Sequence, residues 1–488
     1  MRQAAYLRQR YRLILGYTGF VWLITGLIIM LPATAVFFYL DQVTAVWGFI
    51  GPGSLLTLAG FLLWWWLAPS NPASLTLAEG AVIVVLVWFP AIVVGTIPFL
   101  LVESLTITQA VFESTSGWTT TGLSVIDVTT ASPLTLLYRS LIQFVGGAGF
   151  AIIMLALLLG PAGKGFTGAE GRGEQLEPHV RRSANLVIRL YLAYAVVGTL
   201  GLYLAGMDWF DALNHAFTAL STGGFSTQVD SIGHWNNPVI EAFVIFLMLL
   251  GTTNFLTSYA LVQGKFRAAL NHSEFRLMGM LLLVGLPLML LLVTLGLYPT
   301  TEQAVRVALF DTVSAISTTG FSTAAYTNWP AVGWLLFIGL MLIGGGGGST
   351  AGGIKQYRIY ILLKSAVWEV RRLLWPAGTV REPDLWQADR HYFLSDKDIR
   401  QAGSLVCLHL AAFVLLSLVI AANGYSLQDS LFEAASTVST VGLSVGVTAA
   451  DAPVSVLWTQ IVGMLLGRLE YLVVIIGIMK IAGDLRPR

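Results

Sequence analysis

Ser317-Thr318-Thr319-Gly320-Phe321-Ser322 is one of four versions of a single hexapeptide, and its recurrence decides how this chain is read. The others are Thr119-Thr120-Thr121-Gly122-Leu123-Ser124, Ser221-Thr222-Gly223-Gly224-Phe225-Ser226 and Ser439-Thr440-Val441-Gly442-Leu443-Ser444. Each copy has Ser or Thr three before the central glycine, Thr two before, Leu or Phe after it and Ser two after. Nine residues upstream of the glycine stand Glu113, His215, Asp311 and Glu433. The central glycines lie 102, 96 and 122 residues apart, a period long enough for two membrane spans and a hairpin. One Ser-Thr-Gly cluster is an ordinary loop; four with the same columns are an internal repeat.

Outward from the motif, apolar stretches flank each copy. The chain is 56% hydrophobic and 11% charged, far below the charge of a soluble domain. About ten segments reach the roughly 20 residues needed to cross a bilayer. The expected fold is an all-α integral membrane protein: four pseudo-symmetric units of span, short re-entrant helix and span around one central pore, after two extra N-terminal helices. The expected divisions are 1–70 for the two N-terminal helices, 80–160, 185–263 and 277–372 for the first three units, 373–401 for a cytoplasmic linker, and 402–488 for the fourth unit. The run of apolar residues from Leu13 to Leu40 is too long for a signal-peptide core and reads as a retained span. Cys407, the one cysteine, lies in an apolar span, so no disulfide framework or cysteine metal site is expected. A net charge of +1 gives no reason to expect a nucleic-acid partner.

Charge distribution sets the topology. The segments carrying the motif, 101–138, 206–237, 299–332 and 423–453, hold one basic residue, Arg306. The linkers hold Lys164, Arg172, Arg181 and Arg182, then Lys265, Arg267 and Arg276, then nine basic residues between Lys355 and Arg400. By the positive-inside rule the linkers and both termini are cytoplasmic and the motifs face out, placing the chain in a cell (inner or cytoplasmic) membrane. Acids such as Asp127, Asp211 and Asp451 accompany the motifs and favour cations in a vestibule.

A dehydrated cation inside a membrane needs oxygens where its water was, and backbone carbonyls supply them. Stretches such as Phe112 to Gly117 and Phe310 to Ile316 suit a short helix whose C-terminal end carries partial negative charge toward the ion. The candidate ion ligands are Thr120, Thr121 and Gly122; Thr222, Gly223 and Gly224; Thr318, Thr319 and Gly320; and Thr440, Val441 and Gly442. The residue nine before the glycine is either a helix-start residue suited to the dipole or an ion ligand. Gly344-Gly345-Gly346-Gly347-Gly348-Ser349-Thr350 interrupts the second span of the third unit. At about 1 kcal/mol of helix penalty per glycine, this run opens the helix onto the cavity, unless it is a small-residue packing surface. It lacks the Gly-Lys-Ser/Thr ending of a phosphate loop. Arg468 falls within the final span, where a charge is costly and functional by default. Its alternative is a structural ion pair, although Glu470 is on the wrong helical face to be its partner.

These residues resemble the superfamily of potassium transporters that includes TrkH, TrkG, KtrB and the plant HKT proteins. The resemblance covers nearly the whole chain, and the two extra spans are similar to the TrkH branch. It implies potassium uptake, with potassium ion as the bound species, through a gated channel-like pore. Gly122, Gly224, Gly320 and Gly442 would be the filter glycines, the run from Gly344 to Thr350 the gate, and Arg468 a pore-facing charge beneath the filter. Relatives with serine at the first glycine tend toward sodium, so Gly122 implies potassium. The resemblance also implies a homodimer and a cytosolic TrkA-type nucleotide-binding regulatory subunit, docking on 355–400 or on 163–182, although topology alone accounts for most of that charge. Ion-coupled symport remains the competing reading. No catalytic constellation is present, so an enzyme is not expected. Because Thr121, Gly223, Thr319 and Val441 differ, the ring is only pseudo-symmetric and its preference should be looser than that of a strict fourfold cage.

Overall fold

The computed structural model describes residues 2–67, 75–149, 180–376, 384–387 and 390–486. Two helices lead, α1 (Arg2–Met30) and α2 (Val46–Leu67). They pack at close range: a methyl group added at Gly60 would lie 2.3 Å from the Leu23 nitrogen, and one at Gly26 would lie 2.4 Å from the Gly53 carbonyl. In lipid, where apolar burial drives little association, such small-residue contacts hold helices together.

The first repeat comprises α3 (Leu77–Gly95) with its continuation α4 (Ile97–Val102), the short α5 (Ile107–Trp118) and α6 (Pro133–Gly147). In the second come α7 (Val180–Leu204), the short α8 (Trp209–Leu220), then α9 (Pro238–Thr252) and α10 (Phe255–Val262). The third has α11 (Ser273–Met289), a π-turn at Leu290–Thr294, the short α12 (Thr301–Ser317), α13 (Ala331–Ile343) and α14 (Gln356–Leu374). A two-stranded hairpin follows, β1 (Asp384–Gln387) and β2 (Arg390–Phe393), antiparallel with Leu385 opposite Tyr392. The fourth repeat is α15 (Asp396–Ala422), the short α16 (Leu427–Val438), α17 (Val454–Arg468) and α18 (Leu472–Leu485). α18 packs on α3, with Gly477 against the Ala81 carbonyl, so the fourth repeat closes onto the first.

The fold is all-α apart from the hairpin. Among the described residues, six helices are continuous, long and apolar enough to span: the two leading ones and the first span of each repeat. Of the second spans, only the third was expected to be interrupted, at its glycine run; among the described residues two others are broken as well. α9 breaks before Asn254, α13 stops at Gly344, and α17 and α18 meet at 97°. The expected unit starts at 80, 185, 277 and 402 also fall late; the helices begin at Leu77, Val180, Ser273 and Asp396. Capping explains two of these. Thr76 with Glu79 and Ser395 with Asp398 form reciprocal capping boxes in polar sequence that hydropathy excludes from a span. The linker 373–401 accordingly shortens at both ends. The far half of the first repeat's second span and most of the loop 163–182 lie outside the described residues.

Side chains such as Leu283, Leu291, Leu415 and Leu418 stand exposed on the outer faces of α11, the π-turn that follows it and α15, the pattern of lipid-facing surface. The buried set is correspondingly polar at the centre: Glu113, Arg139, Gln143, Asp311 and Glu433 are each at most 2% exposed.

Candidate functional site

The four short helices begin at polar caps. Thr106, Asp208, Thr300 and Ser426 each accept a backbone N–H of the first turn. Their other ends converge on the glycine motifs. The helices are longer than the six or seven residues the sequence suggested, because the capping residues lie well upstream of the apolar positions.

Each helix ends the same way. Thr120 N–H donates to the Gly117 carbonyl (3.1 Å) and Thr121 N–H to the Ser116 carbonyl (2.9 Å). Thr222 and Gly223, Thr318 and Thr319, and Thr440 and Val441 repeat this pair of bonds at 2.8–3.3 Å. This is the Schellman closure, which normally recruits glycine to its left-handed position. Here that position is Thr in all four copies, at φ +51° to +55°. A β-branched residue at positive φ is a true outlier, costing of order 1–3 kcal/mol. Its fourfold recurrence marks it as imposed by the surroundings. Two residues on, Gly122, Gly224, Gly320 and Gly442 sit at φ +72° to +98°.

The glycines lock into a ring. An added methyl at Gly122 would lie 2.2 Å from the Gly223 carbonyl oxygen, and one at Gly224 would lie 2.0 Å from that of Thr319. Gly320 meets the Val441 carbonyl at 2.0 Å in the same way, and Gly442 meets that of Thr121 at 2.3 Å. Each repeat therefore abuts the carbonyl before the next repeat's glycine, in order, and the fourth returns to the first. The four helix C-termini add partial negative charge at this ring.

The residues nine before each glycine clamp the strand beyond it. Glu113 accepts from the Ser124 hydroxyl and the Val125 and Ile126 N–H groups. His215 Nε2 pairs with Ser226 Oγ at 2.9 Å, while its Nδ1 meets the Asp211 carbonyl at 2.8 Å. Asp311 accepts from Thr323 N–H, Thr323 Oγ1 and the Tyr326 hydroxyl. Glu433 accepts from Ser444 Oγ and from the Val445 and Thr448 N–H groups. In three copies the recurring acid or histidine and the recurring Ser are thus two halves of one bond; the third copy uses Thr323 instead. The upstream column does not stand at helix starts, as one of its two readings had it, but well inside the helices, where its hydrogen bonds go to the protein's own backbone and side chains.

Other residues were missed. Six before each glycine stand Ser116, Thr218, Ser314 and Ser436, a column that extending the alignment would have shown. Ser116 Oγ accepts from Gly122 N–H and Ser436 Oγ from Gly442 N–H, while Ser314 Oγ donates to the Phe321 carbonyl. Arg139, on α6, was passed over, although a charge inside an apolar span is the same signal that singled out Arg468. It sits 3.7 Å from Glu113, donates to Ser124 Oγ (2.8 Å) and lies 4.0 Å above the Phe225 ring.

Beyond the ring, a cavity of about 340 Å³ is lined by all four repeats, with Asp127, Ser226, Tyr326 and Ser444 in its wall. On the opposite side lies the glycine loop, residues 344–355, where the helix is open. Gly352 N–H donates to Thr318 Oγ1 (2.6 Å), and a methyl there would strike the Ser439 carbonyl at 2.1 Å. Thr350 Oγ1 lies 3.2 Å from Thr222 Oγ1 and donates to the Leu220 and Gly251 carbonyls. Gly347 N–H meets Glu274 at 2.5 Å. Gly344, Gly345 and Gly346 are tied to Gln356, Gly352 and Thr252 at 3.0–3.4 Å, and Ser349 Oγ bonds back to the Gly346 carbonyl. The loop thus touches the motifs of repeats two, three and four.

Arg468 supplies the contact to the first repeat. It lies at the end of α17, at the bend rather than within an unbroken span. Nη1 donates to the Thr350 carbonyl (2.6 Å), and Nη2 to those of Gly146 (2.8 Å) and Gly147 (3.1 Å). Glu470 is paired elsewhere, with Arg358 of α14 at 2.6 Å. The bend itself holds two non-glycine residues at positive φ, Glu470 and Tyr471.

The model of the TrkH family, described as cation transport protein, matches residues 49–483. TrkH of Escherichia coli K12, named a Trk system potassium uptake protein, is 31% identical over 83% of this chain and 86% of its own. An uncharacterised cation transporter of Methanocaldococcus jannaschii is 31% identical over 95% of this chain and 94% of its own. The crystal structure of the potassium transporter TrkH from Vibrio parahaemolyticus superposes with a TM-score of 0.84 at 27% identity, covering 98% of this chain and all of that one. These relatives are named as transporters, not enzymes.

Proposed function

The chain belongs to the TrkH family of cation transport proteins, and on that premise we propose that it takes up potassium across the cytoplasmic membrane through a gated, channel-like pore. The observation that carries this reading is the closed ring, in which four positive-φ glycines each abut the carbonyl of the next repeat. Potassium is the transported substrate. Its ligands are the carbonyls of Thr120, Thr121 and Gly122 and their counterparts Thr222, Gly223, Gly224, Thr318, Thr319, Gly320, Thr440, Val441 and Gly442. The Thr120 and Thr440 hydroxyls, buried without a hydrogen-bond partner among the described residues, suit an ion leaving the ring on the loop side.

In mechanism, the cavity above the ring collects cations, and Asp127, fully open to solvent there, favours them over anions. The carbonyls replace the hydration shell, and the rigidity supplied by Glu113, His215, Asp311 and Glu433 holds them at one spacing. The loop from Gly344 to Thr350, with Ser349 turned back on Gly346, is the gate. In the arrangement described it lies against the filter threonines, and Arg468 places a positive charge beneath them. Opening requires Thr350 to part from Arg468.

The continuous first spans form a fixed wall, and the broken second spans bring polar backbone to the pore. Cytoplasmic termini, a homodimer and a TrkA-type regulatory ring acting on α14 and the hairpin complete the proposal. Its test is flux in liposomes: potassium and rubidium uptake well above sodium is expected. Equal permeability to all three would refute the selectivity.

A further inference from the structure

The residue before the filter glycine is Thr121, Thr319 or Val441 in three repeats, but Gly223 in the second. Gly223 is not at positive φ, so its backbone conformation does not demand glycine. Space does. A methyl at Gly223 would lie 2.5 Å from both Cδ and Oε1 of Gln143 and 2.9 Å from its Nε2. The Gln143 amide, on α6 of the first repeat and fully buried, occupies the place where the other repeats carry their own side chain.

That amide is bonded to the filter at two points. Nε2 donates to the Gly223 carbonyl at 2.7 Å, and Oε1 accepts from Phe225 N–H at 3.1 Å. The Gly223 oxygen is the one that Gly122 abuts, so it belongs to the ring. Among the described residues, the equivalent carbonyls of Thr121, Thr319 and Val441 accept no hydrogen bond. One oxygen in four is thus engaged by the protein itself.

We propose that Gln143 is a positioning residue that sets ion preference, making the second-repeat oxygen a weaker and more rigid ligand than its three counterparts. This rests on the ring being the filter. An N–H on a carbonyl opposes the charge an ion would feel, and a ring of weaker field is less able to repay the dehydration of sodium, the smaller and more strongly hydrated ion. Fixing the strand from Gly223 to Phe225 at both ends also stops it collapsing inward onto a small ion.

The full-length protein in liposomes tests this, with potassium, rubidium and sodium as the probes. Gln143→Met, of similar length and without the donor, should lower the potassium-to-sodium permeability ratio by about two- to tenfold, the factor one net hydrogen bond is worth. Gly223→Thr should lose uptake against Gln143, and Gly223→Thr with Gln143→Ala should recover it, with a ratio as low as that of Gln143→Met. An unchanged ratio in Gln143→Met would overturn the proposal, as would normal uptake in Gly223→Thr alone. Should Gln143→Met not insert, the double variant decides, and its failure to recover uptake also overturns the proposal. A wild-type protein that takes up no potassium would instead remove the filter reading itself.

Discussion

Arg468→Ala is the most informative single perturbation of the gate. Among the described residues, the change removes three hydrogen bonds: one to Thr350 and two from Nη2 to Gly146 and Gly147. A bond from a charged donor is worth about 1.5–3 kcal/mol. Only the Thr350 bond holds the loop; the Nη2 pair holds the arginine. Thr350 keeps its hydroxyl bonds to Leu220 and Gly251, so the loop loses one anchor, not all. The closed arrangement should therefore be destabilised by about 1.5 kcal/mol, which shifts the closed-to-open ratio about tenfold. Basal rubidium uptake into liposomes should rise by about that factor while the loop is mostly closed. Arg468→Lys separates bonding from charge. If the charge blocks the pore, Lys behaves as wild type; if the fork of bonds holds the loop, Lys lies close to Ala, because one ammonium cannot reach both Thr350 and the α6 carbonyls. Uptake unchanged in Arg468→Ala would refute the gate assignment.

Gly122→Ser should raise sodium entry relative to potassium, because a side chain at φ +90° and 2.2 Å from the Gly223 carbonyl must displace that oxygen; competition of rubidium uptake by sodium reads this, and no change in preference would contradict the filter role of Gly122. Glu433→Ala should lower the melting temperature in detergent, since the Val445 and Thr448 N–H groups lose their acceptor at about 1–3 kcal/mol each. Melting equal to wild type would show that the clamp carries no load.

The fourfold repeat was legible because each column appears four times, and the glycine run because one residue type in excess defeats a helix. The breaks in the second spans of the second and fourth repeats were not. Nothing in Leu469-Glu470-Tyr471 contains glycine or proline, and the bend there is held by Glu470 reaching Arg358, a partner 112 residues away. The Thr strain was hidden for another reason. Thr is ordinarily unfit for the left-handed position, so nothing in the hexapeptide marks its threonine as the residue that takes it. Gln143, in an apolar helix, drew no reading from the sequence; its meaning depends on Gly223, which is glycine for lack of room rather than for backbone freedom. Helix starts came out late wherever capping residues preceded the apolar run.

The ring has four unlike quarters written by one gene. In an assembly of four identical chains, any mutation at the ring lands four times at once. Here a single codon alters one quarter, and the Gln143 side chain filling the space beside Gly223 shows one quarter fitted to its neighbour. Where two quarters interlock, as at Gln143 and Gly223, a change on one side needs a matching change on the other, so the quarters vary separately only where they do not share space.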